Sequence, residues 1–563
     1  MKKLLLPFLA LALLAFHAPA AKAEDESSPQ PVVVATFSGY AELKRDLEYL
    51  GTLSGNPDMA KGLEQLLMLF TQNQGLAGLD KGRPWGASLS VTPDGSQFPL
   101  LAFLPVTDLK ELLDALAAII GEADDAGDDV YKIKRGTNTL FITQKGKWAY
   151  IAQQKSVLED APGNPLKPFR GLEKQYDLAV SVHVQSIPQA LRDMAADLLK
   201  QGLETGLQQN LGDDEQAELK AKIARTQAES LVKGINEVDQ ITVGLNIDRE
   251  ESRTYLDIAV TALEGTDTAK QIAASSEEAE DSRMAGFLLP DAIASLHLNT
   301  PVADGEEQEE QIESMLEGLR TQLFSEIDDE DDLDDEQKAK AKELAGDLFE
   351  VLEETLEEEG RLNAGIALVG EKPFTLVAGV LVADAAELEK IAKEFITLAA
   401  EDAELPKPKF NVEKYKGHRF HALSVPVDDD AENAEQLKQA LGDPVRIVMA
   451  FGEDTFYIAV GEEGPATIKR VIDKSAEGAE KDPAPMRITL ALAPVLKLVS
   501  SQNGNPMAAM LAESLKGGKD HVSITLENIE NGVRYRIEAE EGVNKLLGTS
   551  LGSGLRAGGA GGR

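Results

Sequence analysis

The sequence predicts an α+β protein of two homologous halves, each an antiparallel sheet with helices packed on one face and a long helical hairpin. Three observations lead there. A strand, turn, strand, helix unit recurs at residues 85–120, 239–274 and 362–395 and, shortened, at 521–547. Its strands alternate with period 2. Ile241, Val243, Leu245 and Ile247 point one way, and Thr242, Gly244 and Asn246 the other. Val533, Tyr535, Ile537 and Ala539 likewise oppose Arg534, Arg536 and Glu538. Such alternation gives one packed and one wet face, and the apolar set is expected to be the packed one. Finally, Asp213-Asp214-Glu215-Gln216 returns 121 residues later as Asp334-Asp335-Glu336-Gln337. Both copies open the second helix of a hairpin, where acidic side chains suit the free N–H groups and the positive end of the helix dipole.

Taken in order, the chain reads as follows. A strand at 32–36 leads to helices at 40–50 and 59–70, broken by Gly55-Asn56-Pro57. The first unit has strands at 85–91 and 98–106 and a helix from Asp108, with Asp108 and Glu111 as a capping box. A meander at 130–134, 139–143 and 148–152 follows, then a short helix at 156–160 and a linker at 161–165. A strand at 178–184 precedes helices at 188–211 and 214–233 and the second unit, and polar residues 275–285 mark a boundary. The order then repeats: a strand at 292–298, helices at 306–324 and 335–359, and the third unit with a capping box at Asp384 and Glu387. A meander at 410–415, 419–425, 445–451 and 455–460, a strand at 487–492, a helix at 495–516 and two last strands complete it. Turns of about four residues, as at 370–373, join antiparallel neighbours. The expected division is a signal peptide at 1–23, halves at 30–280 and 285–547, and a flexible Gly-rich tail at 548–563.

Leu289-Pro290-Asp291 leads into a first strand, and Tyr150-Ile151-Ala152 and Tyr457-Ile458-Ala459 each precede a short helix. In these features the chain resembles a loose group of exported, internally duplicated bacterial proteins of unknown function. The resemblance covers most of the chain and implies no activity and no site residues.

Met1-Lys2-Lys3, a charge-free run at 4–16 and Ala21-Lys22-Ala23 have the form of a secretory signal peptide. The run of 13 residues is too short to span a bilayer, so the expected location is periplasmic or secreted. The chain has no cysteine, which excludes disulfides and thiolate metal sites. Without Lys2, Lys3 and Lys22, 53 bases face 97 acids, a net charge of −44. Nucleic acid is excluded as a partner by that balance, since phosphates need Lys and Arg, and an anionic membrane surface is disfavoured for the same reason.

Few motifs survive inspection. Gly548-Thr549-Ser550-Leu551-Gly552 matches the G-x-S-x-G nucleophile pattern, but neither Asp nor His follows it. His418 and His421, three apart on a strand, face opposite sides. The candidate metal pair is His183 and His297, each ending a strand that opens a hairpin, with Ser181 and Ser295 before them on the same face. The simpler reading is two strand-end histidines, because a zinc site needs three or four protein ligands. The run Asp328-Asp329-Glu330-Asp331-Asp332 has Leu333 and Ala339 where a calcium loop needs Gly and Glu, so only weak Ca²⁺ binding is expected there. Residues 304–360 hold 24 acids and four bases, whereas residues 187–236 hold eight and six. That contrast makes 328–332 a candidate docking arm for a cationic protein or ligand; the bland alternative is a solvated loop.

No cofactor is implied. The sequence reads as an exported non-enzymatic protein acting through protein interactions, with carriage of an apolar ligand such as lipid as the alternative. A hydrolase ranks last because no nucleophile or metal set is present.

Overall fold

The computed structural model describes residues 30–135, 138–210, 234–277, 282–301, 306–330, 334–402, 406–428, 433–478, 484–515 and 518–560. The expected signal peptide at 1–23, the helix at 214–233 and the first Asp-Asp-Glu-Gln copy lie outside these residues.

Among the described residues twenty strands are formed. The first ten are β1 (Gln30–Phe37), β2 (Trp85–Val91), β3 (Leu100–Pro105), β4 (Asp124–Asp125), β5 (Val130–Arg135), β6 (Asn138–Lys145), β7 (Trp148–Ala152), β8 (Leu178–His183), β9 (Val238–Asp248) and β10 (Arg253–Ala262). The others are β11 (Ala292–Pro301), β12 (Arg361–Val369), β13 (Thr375–Leu381), β14 (Lys409–Tyr415), β15 (His418–Val425), β16 (Val445–Phe451), β17 (Thr455–Val460), β18 (Met486–Ala491), β19 (His521–Ile529) and β20 (Gly532–Ala539). All four expected strand, strand, helix units are present. Their helices are α1 (Leu109–Ile120), α2 (Asp267–Glu277), α3 (Ala385–Asp402) and α4 (Glu541–Ala560).

Among the described residues every pairing is antiparallel, as short turns require. The strands join into one continuous sheet in the order β4-β5-β6-β7-β3-β2-β1-β8-β9-β10-β20-β19-β18-β11-β12-β13-β17-β16-β15-β14. The halves were expected to hold a sheet each; instead β10 pairs with β20 and fuses them. Counted outward from that joint, β1–β10 and β11–β20 follow the same order. Among the described residues β10–β20 is the one pairing between the two sets. The sheet's outer edges are blunt: β4 is two exposed aspartates, and β14 is exposed and carries a register shift between Lys409 and Glu413. Short, charged or bulged edges resist the addition of a further strand.

Helix starts follow the capping chemistry. Asp108 accepts the Glu111 N–H at 3.0 Å, and Asp384 accepts those of Ala386 and Glu387 at 2.9 Å. Two further helices, α5 (Glu306–Asp329) and α6 (Asp335–Glu359), pack on one another. Asp334 and Gln337 form a reciprocal capping box at the start of α6. The helix expected at 495–516 is two, Leu492–Asn503 and Pro506–Ser514. Gly504 (φ 60) ends the first in the left-handed conformation, and Asn505 with Pro506 restarts the second. The tail expected to be flexible from Gly548 instead continues α4 to Ala560. Its glycines serve close packing: a Cβ on Gly548 would lie 2.4 Å from the Leu50 carbonyl oxygen, and one on Gly552 2.9 Å from Asn56.

Helices were expected on one face of each sheet, but both faces are covered at the sheet's ends. In β13, β16 and β17, Val377, Leu381, Val448, Tyr457 and Ala459 pack on Phe287, Ile468 and Val471. Their neighbours Met449 and Phe451, with Val380, Phe456 and Ile458, pack on Leu344 and Val351 of α6 and Leu388 and Ile391 of α3. These strands are apolar at both parities, so each side needs a cover.

Candidate functional site

In the middle of the sheet, among the described residues, the more deeply buried side is not the expected one. Directly opposed residues on paired strands share a face. One row of them runs Ile142, Ile151, Ala102, Ala87, Ala35, Val180, Val243, Ile258, Tyr535, Leu526, Met486, Leu298, Ala364, Val380, Phe456. At one end Ile142 and Ile151 lie under Leu109, Leu112 and Leu113 of α1. At the other, Val380 and Phe456 lie under α6 and α3. Helices thus stand at both ends of the same face; at the centre, where α2 meets β10, β19 and β20 and α4 meets β10 and β19, several apolar side chains of the described residues nonetheless stay exposed. There Ile241, Val243 and Leu245 of β9 are 37, 40 and 36% exposed, Ile258 36%, Tyr535 40%, Ile366 43% and Leu376 41%.

The opposite face carries Tyr150, Phe103, Gly86, Thr36, Ala179, Gly244, Asp257, Arg536, Thr525, Arg487, His297, Gly365, Gly379 and Tyr457 in a second row of direct partners. Its centre is polar and buried. Asp257 is fully buried and accepts from Arg536 Nε and Nη2, both at 2.8 Å, and from the Tyr176 hydroxyl at 2.9 Å. The Arg536 guanidinium lies over the Tyr255 ring at 4.1 Å. Burial, then the Asp257 charge, raises the Tyr176 pKa, so its hydroxyl stays protonated and donating. The glycines let aromatic covers sit on the backbone. A Cβ on Gly244 would be 2.5 Å from the Tyr176 ring, and one on Gly365 2.2 Å from the Phe287 ring. The expectation that Ile241, Val243 and Leu245 are packed is therefore corrected. Thr242 and Gly244, on the parity expected to be wet, are the buried ones. Small side chains lie flush beneath bulky covers borne by other segments, which periodicity within one strand does not record.

A second polar cluster lies where α3 meets β15. The buried Glu389 carboxylate accepts from Arg419 Nε at 2.8 Å, Lys393 Nζ at 2.5 Å and His421 Nε2 at 3.0 Å. Burial opposes its charge, but Arg419 and Lys393 outweigh that and hold it at about 2. His421 accepts the Asn411 N–H at Nδ1, at 3.0 Å, so the ring is neutral with both nitrogens engaged. Burial, then Lys393, lowers its pKa. A recess of about 480 Å³ beside it is lined by Glu389, Lys390, Lys393, Glu394, Asn411 and Arg419. Its cations already face carboxylates, including Glu387 for Lys390 at 2.8 Å.

The residues singled out from sequence do not converge. His183 (β8) and His297 (β11) stand six strand spacings apart, about 28 Å, too far to share an ion. His297 is buried with its Nε2 against the Ser282 hydroxyl, and Ser181 and Ser295 bond Thr242 at 3.0 Å and Thr489 at 2.5 Å across the ladder. Among the described residues no group of three or more His, Asp or Glu is placed to hold a metal. In the acidic run, Asp328 pairs with Lys342 at 2.5 Å while its carbonyl accepts from Lys338 at 2.7 Å, so it closes the end of α5. Asp329 and Glu330 are exposed; Asp331 and Asp332 lie outside the described residues. Ser550 sits within α4 rather than on a strand-to-helix turn. Among the described residues no helix is long and apolar enough to cross a membrane.

Comparison of the chain with known protein families, with curated proteins and with solved structures finds no match.

Proposed function

We propose that the chain is a non-enzymatic binding protein that works through the open apolar face at the centre of its sheet. One observation carries this reading: side chains from β9, β10, β20, β12 and β13, in register and held by a rigid ladder, stay exposed between two helical walls. A soluble protein rarely leaves a contiguous apolar surface of that extent without a use for it. Export, from the leader at 1–23, completes the reading and places the face in the periplasm or outside the cell. The same reading takes residues 30–280 and 285–547 as homologous halves. The shared strand order supports this, as does the placing of Gly86 with Gly365 and Tyr150 with Tyr457 at equal distances from the β10–β20 joint.

The test places charge on the face without unfolding the sheet. Val243 and Ile258 are direct cross-strand partners, so Val243→Lys with Ile258→Glu leaves a complementary pair. The uncharged dye Nile red is expected to bind the native chain saturably and the double variant at least tenfold more weakly, with equal thermal midpoints. Equal dye binding by both proteins refutes the reading.

A further inference from the structure

Resting on that reading, we infer that the occupant of the open face is the hydrocarbon of a lipid with no net charge, its acyl chains lying along the strand direction. Four features of the face separate this occupant from a protein.

The first is chemistry. The exposed side chains on the face include Ile241, Val243, Leu245, Ile258, Leu362, Ile366, Leu376, Tyr535 and Thr300; of these only Tyr535 and Thr300 have a polar side-chain atom, and the Thr300 hydroxyl already donates to the Pro485 carbonyl at 3.1 Å. The backbone groups beneath are already paired across the ladder. Protein interfaces carry about one hydrogen bond per 100–200 Å², and this face has almost nothing with which to make them.

The second is size. From β9 to β13 the face crosses eight strands, about 33 Å at the usual spacing, with exposed apolar side chains on β9, β10, β20, β12 and β13 and half-buried ones on β19, β18 and β11 between them. Each strand presents three side chains to the face, about 13 Å along its axis. The projected area, on the order of 500 Å², falls short of the roughly 800 Å² per partner of a standard protein interface. It does match acyl chains, whose length in a bilayer is half of the ~30 Å hydrocarbon core, about 15 Å.

The third is shape. The walls at both ends, α1 on one and α6 with α3 on the other, are helical layers about 10 Å thick. Two copies stacked face to face in register would meet at these walls before their sheets reached the about 10 Å separation of packed sheets. Flexible chains can fill such a trough where a flat partner cannot.

The fourth is charge. The chain has a formal net charge of −41, so a second copy or an anionic headgroup is repelled over the screening length of about 8 Å. This selects headgroups that are neutral overall.

The full chain is mixed with phosphatidylcholine vesicles carrying a pyrene-labelled acyl chain, then separated from them by size exclusion. Labelled lipid is expected to co-elute with the native protein and not with the Val243→Lys/Ile258→Glu variant. Each methylene moved out of water contributes a nearly constant increment, so every two methylenes strengthen binding about tenfold. Monomeric lysophosphatidylcholine, below its micelle concentration, with one 16-carbon chain should therefore outcompete the 12-carbon form about a hundredfold, and phosphatidylglycerol should bind less well at low salt. Nile red binding that persists with no lipid carried overturns this inference and leaves the open-face reading standing. Loss of both in the native protein overturns both. Lipid carried equally by native and variant protein, or a concentration-dependent dimer by light scattering that the variant abolishes, also overturns it.

Discussion

Replacing Asp257 by Asn tests whether the joint between β10 and β20 depends on its buried charge. The substitution keeps shape and removes the charge that Arg536 holds through two bonds of 2.8 Å and Tyr176 through one of 2.9 Å. Breaking a buried pair by neutralising one partner costs 3–5 kcal/mol, because the other charge stays desolvated. The Arg536 side chain is 22% exposed and can recruit some water, so the expected loss is at the lower end, about 3 kcal/mol. Since β10–β20 is the one pairing between the two strand sets among the described residues, loss of its lock should also uncouple them. The assay exploits the two tryptophans, Trp85 and Trp148, both in the first set. In urea titrations fluorescence follows that set, while far-ultraviolet circular dichroism follows the whole chain. The two curves should coincide in the native protein and separate in Asp257→Asn. A loss under about 1 kcal/mol with coincident curves would show that the joint does not depend on the pair.

Glu389, held at about 2 against an ordinary 4.5, contributes stability that is full above pH 4.5 and lost as the pH falls toward 2. The difference is worth about 3 kcal/mol, and Glu389→Gln should flatten the acid-unfolding curve in that window; an unchanged curve counts against the cluster. Gly365→Ala drives a Cβ to 2.2 Å from the Phe287 ring and should cost about 1–3 kcal/mol. Gly62→Ala, in a helix with open space around it, should instead gain up to about 1 kcal/mol; thermal melts that reverse this order contradict the packing described. Gly548→Leu, whose Cβ lies 2.4 Å from the Leu50 carbonyl oxygen, should lift α4 and expose it to limited proteolysis, with β1–β10 still resistant; native-like protection of α4 would count against that contact.

Much of the fold is legible in the sequence because its determinants are local. The four strand, strand, helix units follow from period-2 runs, short turns and aspartate caps such as Asp108 and Asp384. The break at Gly504 is local too, but the apolar run across it hides it until Asn505 and Pro506 are read as a new helix start. The long-range features are another matter. Nothing in β10 or β20 alone announces that they pair. Gly548 and Gly552 look like a flexible tail unless the carbonyl of Leu50 and the side chain of Asn56 are known to lie against them. The sequence points to the wrong side of β9 as packed, because Gly244 is covered by the Tyr176 ring from a different segment, and Thr242 beside it is buried. A usable signal did exist. Gly244 falls on the parity expected to be wet, where a small residue without a polar side chain gains nothing from water, and Gly365 and Gly379 lie in the same buried row.

On the proposed duplication, the joint has a particular symmetry. Tyr150 and Tyr457 are each six strands from it along the buried row, so Asp257 and Arg536 are counterparts that face one another across a pseudo-twofold axis. In a dimer of two identical half-length chains, a residue on such an axis meets itself. An Asp there would oppose an Asp, or an Arg an Arg, and neither could be buried. A salt bridge at that point is open only to a chain in which both copies are covalently one and free to differ. Opposite charges on the axis thus commit the two halves to each other: separated, each would expose at its edge a charge that a second copy of itself repels.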